Sequence, residues 1–272
     1  MKFGISTFVT DEGIGSAELG RALEDRGFDA AFLAEHTHIP TSRETPYPGG
    51  GDLPRKYYRT LDPFVSLTAM AAVTENLLVG TGIALIIERD PITTASEVAS
   101  LDFESGGRFL FGVGAGWNRE EMRNHGTDPT KRGKLMDERI RAMREIWTKD
   151  EAEFHGELVD FDPIYSWPKP VQKPHPPIYI GGESAKSFAR VAEYGGGWLP
   201  RAGATEDLAG KIKQVRAQAG WEVPVSLFGT PPEKSAIEQY SEAGVDRVLF
   251  DLPTEPRDET LRILDEYARL IA

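Results

Sequence analysis

The stretch LLVGTGIALIIERDPITTASEVASLDFESGGRFLFGVG, Leu77 to Gly114, decides how this chain folds. LLVGTGIAL reads as a strand. Asp90-Pro91 then pairs a capping carboxylate with a proline, whose missing N–H costs nothing in a first helical turn. The helix should stop near Gly106, and RFLFGVG is the next strand. The unit is strand, helix, strand, with strands apolar enough to be covered on their outer face by helices. The same unit recurs on both sides. FGISTFV precedes a helix at Ser16–Arg26 with Gly27 as its C-terminal cap. AAFLAE follows, and Asp62-Pro63 starts a helix running through Ala72. Downstream, a helix over 131–147 carries Leu135, Ile140, Met143, Ile146 and Trp147 on one side, as core packing requires. PPIYIGG precedes a helix at Ser184–Tyr194, and GGWLP one at Thr205–Ala219. VPVSLFG leads into TPPE, where Thr230, Pro231 and Glu233 suggest a capping box. VDRVLFD and a helix at Arg257–Ile271 close the chain. Eight strands alternating with eight helices over 272 residues predict an α/β fold, a single (β/α)8 TIM barrel forming one domain, 1–272. The loop Pro40–Leu61 and an excursion over 149–176, with a small hairpin around Glu153–Phe161, are expected to be insertions into it.

The net charge of -12 argues against broad attraction to nucleic acid or an anionic membrane, though a pocket can differ from the average field. With no cysteine, disulfides, thiolate nucleophiles and Fe–S clusters are excluded. MKFGISTFV lacks the features of a secretory signal, and no apolar run reaches the roughly 18 residues of a spanning helix. A cytoplasmic location is the default expectation.

In a barrel of this kind the loops after the strands form the active-site face. That gathers FVTDE, EHTHIP, TGIALIIERDP, GAGWNREE, IGGES and WLPRAG. GVGAGWN lacks the full dinucleotide fingerprint, and its next helix is not expected to start at once. Gly181 and Gly182 precede Ser184 at a helix start, where free amides can cradle a phosphate or simply make a turn. His36 suits either proton transfer or a satisfied structural role, and Glu35 either orients it or accepts a backbone bond. No H-E-x-x-H motif or cysteine pair supports a metal site. Ser6, Ser184 and Ser187 lack a nucleophile-elbow motif. Glu120 and Glu121 would serve glycoside hydrolysis only opposite another carboxylate, and as neighbours in a charged loop they read as solvated or as caps.

Taken in order, FLAEHTHIP, VGTGIAL, GRFLFGVGAGWNREE, RGKLMDERIRAMREIW and PPIYIGGESAKSFARVAEYGGGWLP resemble successive blocks of the bacterial luciferase-like oxidoreductases, in particular the subgroup using the deazaflavin coenzyme F420. The resemblance spans most of residues 1–200. It implies a ring cofactor at the C-terminal mouth of the barrel, with Glu35 and His36 beside the ring and His36 assisting proton transfer. Thr81, Gly82 and Ile83 resemble a strand-end bulge under the ring, sometimes built on a non-prolyl cis bond. Asn118 would contact polar groups of the cofactor and Trp117 would pack the wall. Gly181, Gly182 and Ser184 would receive the phosphate, beside a wall of Gly196, Gly197 and Trp198. Arg201 would attract an anionic substrate or remain a solvated loop cation. Tyr57, with Tyr58, would close the pocket or merely crowd the surface. The implied activity is hydride transfer between F420 and a small organic substrate. The alternatives are an FMN-dependent monooxygenase supplied by a flavin reductase, and a noncatalytic flavin- or deazaflavin-binding protein. A homodimer is expected from the same resemblance.

Overall fold

Alternation along each strand sorts side chains into two apolar layers, and this sorting closes the sheet. In the computed structural model, which describes residues 1–204 and 206–271, Lys2–Thr7 (β1), Ala30–Leu33 (β2), Leu78–Thr81 (β3) and Phe109–Val113 (β4) pair in parallel. Ile178–Gly181 (β7), Gly197–Leu199 (β8), Ser226–Thr230 (β9) and Arg247–Asp251 (β10) complete the eight strands, with β10 returning to pair with β1. The first and last members, β8 and β9, meet through two isolated parallel bridges, Trp198 with Val225 and Arg201 with Phe228. Prolines thin this joint: Pro200 and Pro224 accept bonds from Phe228 and Trp198 but have no N–H to return. The result is a nearly closed parallel barrel, as the repeated units predict.

Ala30, Phe32, Leu110, Tyr179, Leu199 and Leu249 fill the interior. Their neighbours Ala31, Leu33, Phe109, Phe111, Ile178, Ile180, Val248 and Phe250 face the helices. One interior layer depends on a glycine. Phe32 stands level with Gly80 in the register, and a Cβ at Gly80 would lie 2.8 Å from the Phe32 ring. Small and large residues must alternate across strands for such an interior to fill. Burying a side chain like Phe32 contributes about 1.5–3 kcal/mol.

Helices Ser16–Asp25 (α1), Pro63–Ala71 (α2), Pro91–Glu104 (α3), Arg119–Asn124 (α4), Arg132–Thr148 (α5), Ala185–Tyr194 (α6), Leu208–Ala219 (α7), Lys234–Glu242 (α8) and Arg257–Ile271 (α9) complete the order. Asp62 and Asp90 cap as predicted, accepting the N–H groups of Val65 and Thr93 at 3.0 and 2.8 Å. Gly27 has the left-handed φ of +79° expected after α1. Trp147 is core, its Nε1 donating to the Ala95 carbonyl of α3 at 2.9 Å. The predicted start of α7 at Thr205 lies outside the described residues; the helix is capped by Asp207.

Two local expectations are corrected. A helix, α4, begins directly after GVGAGWN. The TPPE capping box does not form: Thr230 ends β9 and donates to the Leu227 carbonyl, while Glu233 precedes α8 without a side-chain cap. Ser6 points inward and donates to carbonyls of Leu249 and Phe250, so it is a satisfied interior hydroxyl. The excursion is an antiparallel hairpin, Glu151–His155 (β5) with Asp160–Tyr165 (β6). Buried Glu138 of α5 holds its turn by accepting the N–H groups of Leu158 and Val159. Among the described residues no helix is long and apolar enough to cross a membrane.

Candidate active site

The C-terminal ends of the strands surround a cavity of about 980 Å³. Gly82 and Ile83 after β3, the Gly114–Trp117 loop after β4, Gly181–Ser184 after β7 and Phe228 of β9 supply its barrel side. The peptide bond Gly82–Ile83 is cis. Ile83 packs so close to the β4 loop that a Cβ on Gly114 would lie 2.0 Å from its Cδ1. A side chain there would displace Ile83 from the floor.

At the other end, α5 and α6 bring charge. Arg132, Lys134, Arg141, Lys186, Arg190 and Arg201 line the cavity against Asp137, Glu183 and Glu193, an excess of three positive charges in a chain of net -12. Arg190 is taken by Asp137 at 2.6 Å and Arg201 by Glu183 at 3.3 Å. Among the described residues Arg132, Arg141 and Lys186 make no ion pair. Ser184 caps α6 by accepting the Ser187 N–H at 3.2 Å, and the first amides of the helix lie beside Gly182, whose φ is +100°. A helix start of this kind favours an anion through its dipole and its unused N–H groups.

Seven predicted residues therefore line the cavity: Gly82, Ile83, Trp117, Gly181, Gly182, Ser184 and Arg201. The others stand behind it or beside it. Thr81 is buried and donates to the Gly112 carbonyl at 2.7 Å, tying β3 to β4. Gly196 and Gly197 are close-packing positions, where a Cβ would meet the Ile178 backbone at 2.2 Å and the Tyr179 ring at 2.3 Å. Trp198 is buried, and its Nε1 donates to the Gly182 carbonyl at 2.8 Å, which fixes the glycine turn. Asn118 is buried next to Trp117, and neither Nδ2 nor Oδ1 has a protein partner. Arg201 is no free receptor for an anion: Glu183 accepts both its backbone N–H, at 3.0 Å, and its guanidinium.

The histidine environment differs from expectation in its acidic partner. Glu35 does not orient His36. It turns toward β3, accepting the Leu85 N–H at 2.5 Å and Arg89 Nε at 2.6 Å. Burial pushes the Glu35 carboxyl up, opposed by the Arg89 guanidinium. The partner of His36 is Glu121 of α4, whose Oε2 lies 2.7 Å from Nδ1. Glu120 and Glu121 are thus not solvated. Glu120 accepts the Thr45 N–H at 2.7 Å and so pins the loop 40–61, from which Pro48 reaches the cavity. His36 sits 5.1 Å from the Tyr57 ring and 5.8 Å from Trp117, and Tyr57 in turn packs on Phe8 and Tyr47. Tyr57 therefore belongs to an aromatic cluster flanking the mouth. His38 is joined to Asn124 at 2.8 Å and through Thr37 Oγ1 to His125. No cluster of metal-ligating side chains occurs among the described residues. The missed residues, Glu121, Arg89 and the buried Glu88, share one faint signal: a charged residue beside apolar residues that the fold must bury.

A parallel barrel with a large cavity over its strand ends, polar at one end and lined there by the glycine turn before α6, defines the class of barrel enzymes whose sites lie at that face. The chain belongs to the luciferase-like monooxygenase family, whose model matches residues 2–230. It is 38% identical over 280 residues to an uncharacterized protein of Mycobacterium tuberculosis, covering 100% of this chain and 99% of that one. It is 32% identical over 156 residues to an FMNH(2)-dependent dimethylsulfone monooxygenase of Pseudomonas putida, covering 56% of this chain and 42% of that one. Among solved structures, the monooxygenase RslO1 of Streptomyces bottropensis superposes with a TM-score of 0.82 at 19% identity, over 100% of this chain and 98% of that one. A coenzyme F420-dependent tetrahydromethanopterin reductase of Methanopyrus kandleri gives 0.74 at 16%, over 98% and 97%. The two structural likenesses establish the shared barrel. The chain is accordingly an oxidoreductase of the luciferase-like type.

Proposed function

We propose that this chain transfers a hydride between the deazaflavin F420 and a small organic substrate. The carrying observation is the reversal of charge in the cavity, where six cations face three carboxylates. F420 extends through a phosphodiester and glutamates, so its tail carries more negative charge, over a greater length, than a single terminal phosphate. The free cations Arg132, Arg141 and Lys186 extend beyond the one anion site at the start of α6 and match such a tail.

The residues at the mouth fit a ring as well. Asn118 keeps an amide donor and acceptor unpartnered in a buried position, where groups normally find partners. Gly114 and Gly181 leave room for Ile83 to form a floor. Bound there, the deazaflavin supplies two-electron hydride chemistry. The protein aligns the substrate, excludes water and manages the proton. His36 holds or releases that proton at Nε2, while the Trp117 wall and the Tyr57 cluster shield the mouth. Trp198 and Ser184 keep the phosphate turn in place.

A second reading is a reduced-FMN monooxygenase. It is favoured by the family description and by the dimethylsulfone monooxygenase relative, and the start of α6 would suffice for the single FMN phosphate. Anaerobic titration of the purified chain with F420 and with FMN, followed by ring absorbance, separates the two. The first reading expects tighter F420 binding, weakened at least tenfold by Lys186→Glu with Arg132→Glu. Selective FMN binding with substrate-dependent oxygen consumption would install the second reading instead. Affinity for neither ring would remove both.

A further inference from the structure

The proton chemistry proposed for His36 rests on which ring nitrogen faces the substrate, and the structure points to the residue that decides it. We propose that Glu121 is a positioning residue for His36, holding the imidazole with its hydrogen on Nδ1 so that Nε2 exchanges the proton with substrate. This inference deepens the oxidoreductase reading and rests on it for its catalytic consequence, but not for its geometry.

Glu121 is fully buried on α4, and both of its oxygens are engaged by adjacent residues of the loop after β2. Oε2 meets His36 Nδ1 at 2.7 Å, and Oε1 accepts the Thr37 N–H at 3.1 Å. An ionised carboxylate only accepts hydrogen bonds, so the short contact places the proton on Nδ1. In a neutral imidazole that leaves the lone pair on Nε2. Tyr57 and Trp117 wedge the ring from two sides, and Trp117 itself lines the cavity.

The surrounding charges support a functional reading over a purely structural one. Glu35, the neighbouring buried carboxylate, is compensated by Arg89 at 2.6 Å. Burial and the nearby carboxylates push Glu88 up to about 9, so it is neutral near pH 7. Glu121 has no lysine or arginine within ion-pair distance among the described residues; its one ionisable partner is His36. A buried carboxylate without a permanent cation is costly, and here the His36 ring and the Thr37 N–H are the groups that compensate it. Were a bound ring cofactor to supply hydride to a substrate carbonyl carbon, Nε2, first protonated from solvent, would pass that proton to the carbonyl oxygen and return to its lone-pair form. Glu121 acts only through its hydrogen bond to Nδ1 and is not consumed. In the oxidising direction the same nitrogen removes the hydroxyl proton.

The test has two arms. Nitrogen-15 spectra of histidine-labelled protein, without cofactor, should show His36 as the Nδ1–H tautomer; its signal is assigned by loss in His36→Gln. In Glu121→Gln the tautomers should mix. With cofactor and substrate, Glu121→Gln should lower kcat by roughly a hundredfold or more. KM and cofactor Kd should stay within about twofold, and Glu121→Asp should recover part of the loss. An Nε2–H tautomer in the unaltered protein, or an unchanged kcat in Glu121→Gln, overturns the assignment. If Glu121→Gln does not fold, the spectrum of the unaltered protein still decides the geometry. Failure of the chain to bind any ring cofactor would instead strike the oxidoreductase reading and leave the histidine spectrum intact.

Discussion

Replacing Glu88 by Gln should stabilise the folded chain at neutral and alkaline pH and leave it unchanged in acid. Glu88 lies after β3 with its side chain 1% exposed, its Oε2 unpartnered and its nearest histidine nitrogen, His125 Nε2, 3.9 Å away. Burial, then the charges of Glu121 and Glu35, raises its carboxyl from the ordinary 4.5 to about 9 against the pull of Arg139 and Arg89. The folded value is above the unfolded one, so the native state binds the extra proton. Below the unfolded value the group contributes no penalty. The penalty grows as pH rises from 4.5 and levels off above 9. At pH 7 the gap is about 2.5 pH units, which at about 1.4 kcal/mol per unit amounts to about 3 kcal/mol. Glutamine has nearly the same shape and no proton to gain, so it removes this dependence. For a chain of this size about 3 kcal/mol corresponds to a rise in Tm of roughly 6–12 °C. Thermal and urea unfolding of both proteins at pH 4.5, 6, 7 and 8.5 should give curves that converge in acid and diverge in base. Parallel curves across that range would refute the reasoning.

Arg89→Met should cost about 3–5 kcal/mol in urea unfolding, because it strips Glu35 of its cation and also frees Asp62 and Glu97. Adding Glu35→Gln should recover much of that loss. Gly112→Ala should fail to fold or lose more than about 3 kcal/mol, since its Cβ would lie 1.9 Å from the Thr81 carbonyl oxygen; Gly15→Ala, with open space around it, should stay within about 0.5 kcal/mol. Trp198→Phe should weaken cofactor binding about tenfold with little change in kcat, because the bond holding the Gly182 carbonyl is lost, along with some of the packing on Phe188. Equilibrium titration beside steady-state rates checks this last expectation.

The barrel was legible because its punctuation is local. Asp62-Pro63 and Asp90-Pro91 cap helices through bonds spanning three residues, and the strand alternation needs no distant partner. The glycine turn before α6 was legible for the same reason, since Gly182 and Ser184 act within one turn. The surroundings of His36 were not. His36 finds Glu121 across 85 positions, and Glu35 finds Arg89 across 54. Neighbouring glutamates in a polar stretch give only a faint sign, one apolar neighbour, that both will be drawn inside. Gly196 and Gly197 misled in the opposite direction: they look like a ligand turn, yet the fold needs their missing side chains to let β7 and β8 meet.

The thinly bonded joint between β8 and β9 has a mechanical consequence. A hoop joined at one place by isolated bridges alone resists dilation weakly there. The gap adjoins Arg201 and Phe228 on the cavity wall, so a dilation of the hoop at that joint would widen the mouth. Two prolines, by withholding two amide hydrogens, thus give an otherwise stiff cylinder a compliant side facing its ligand.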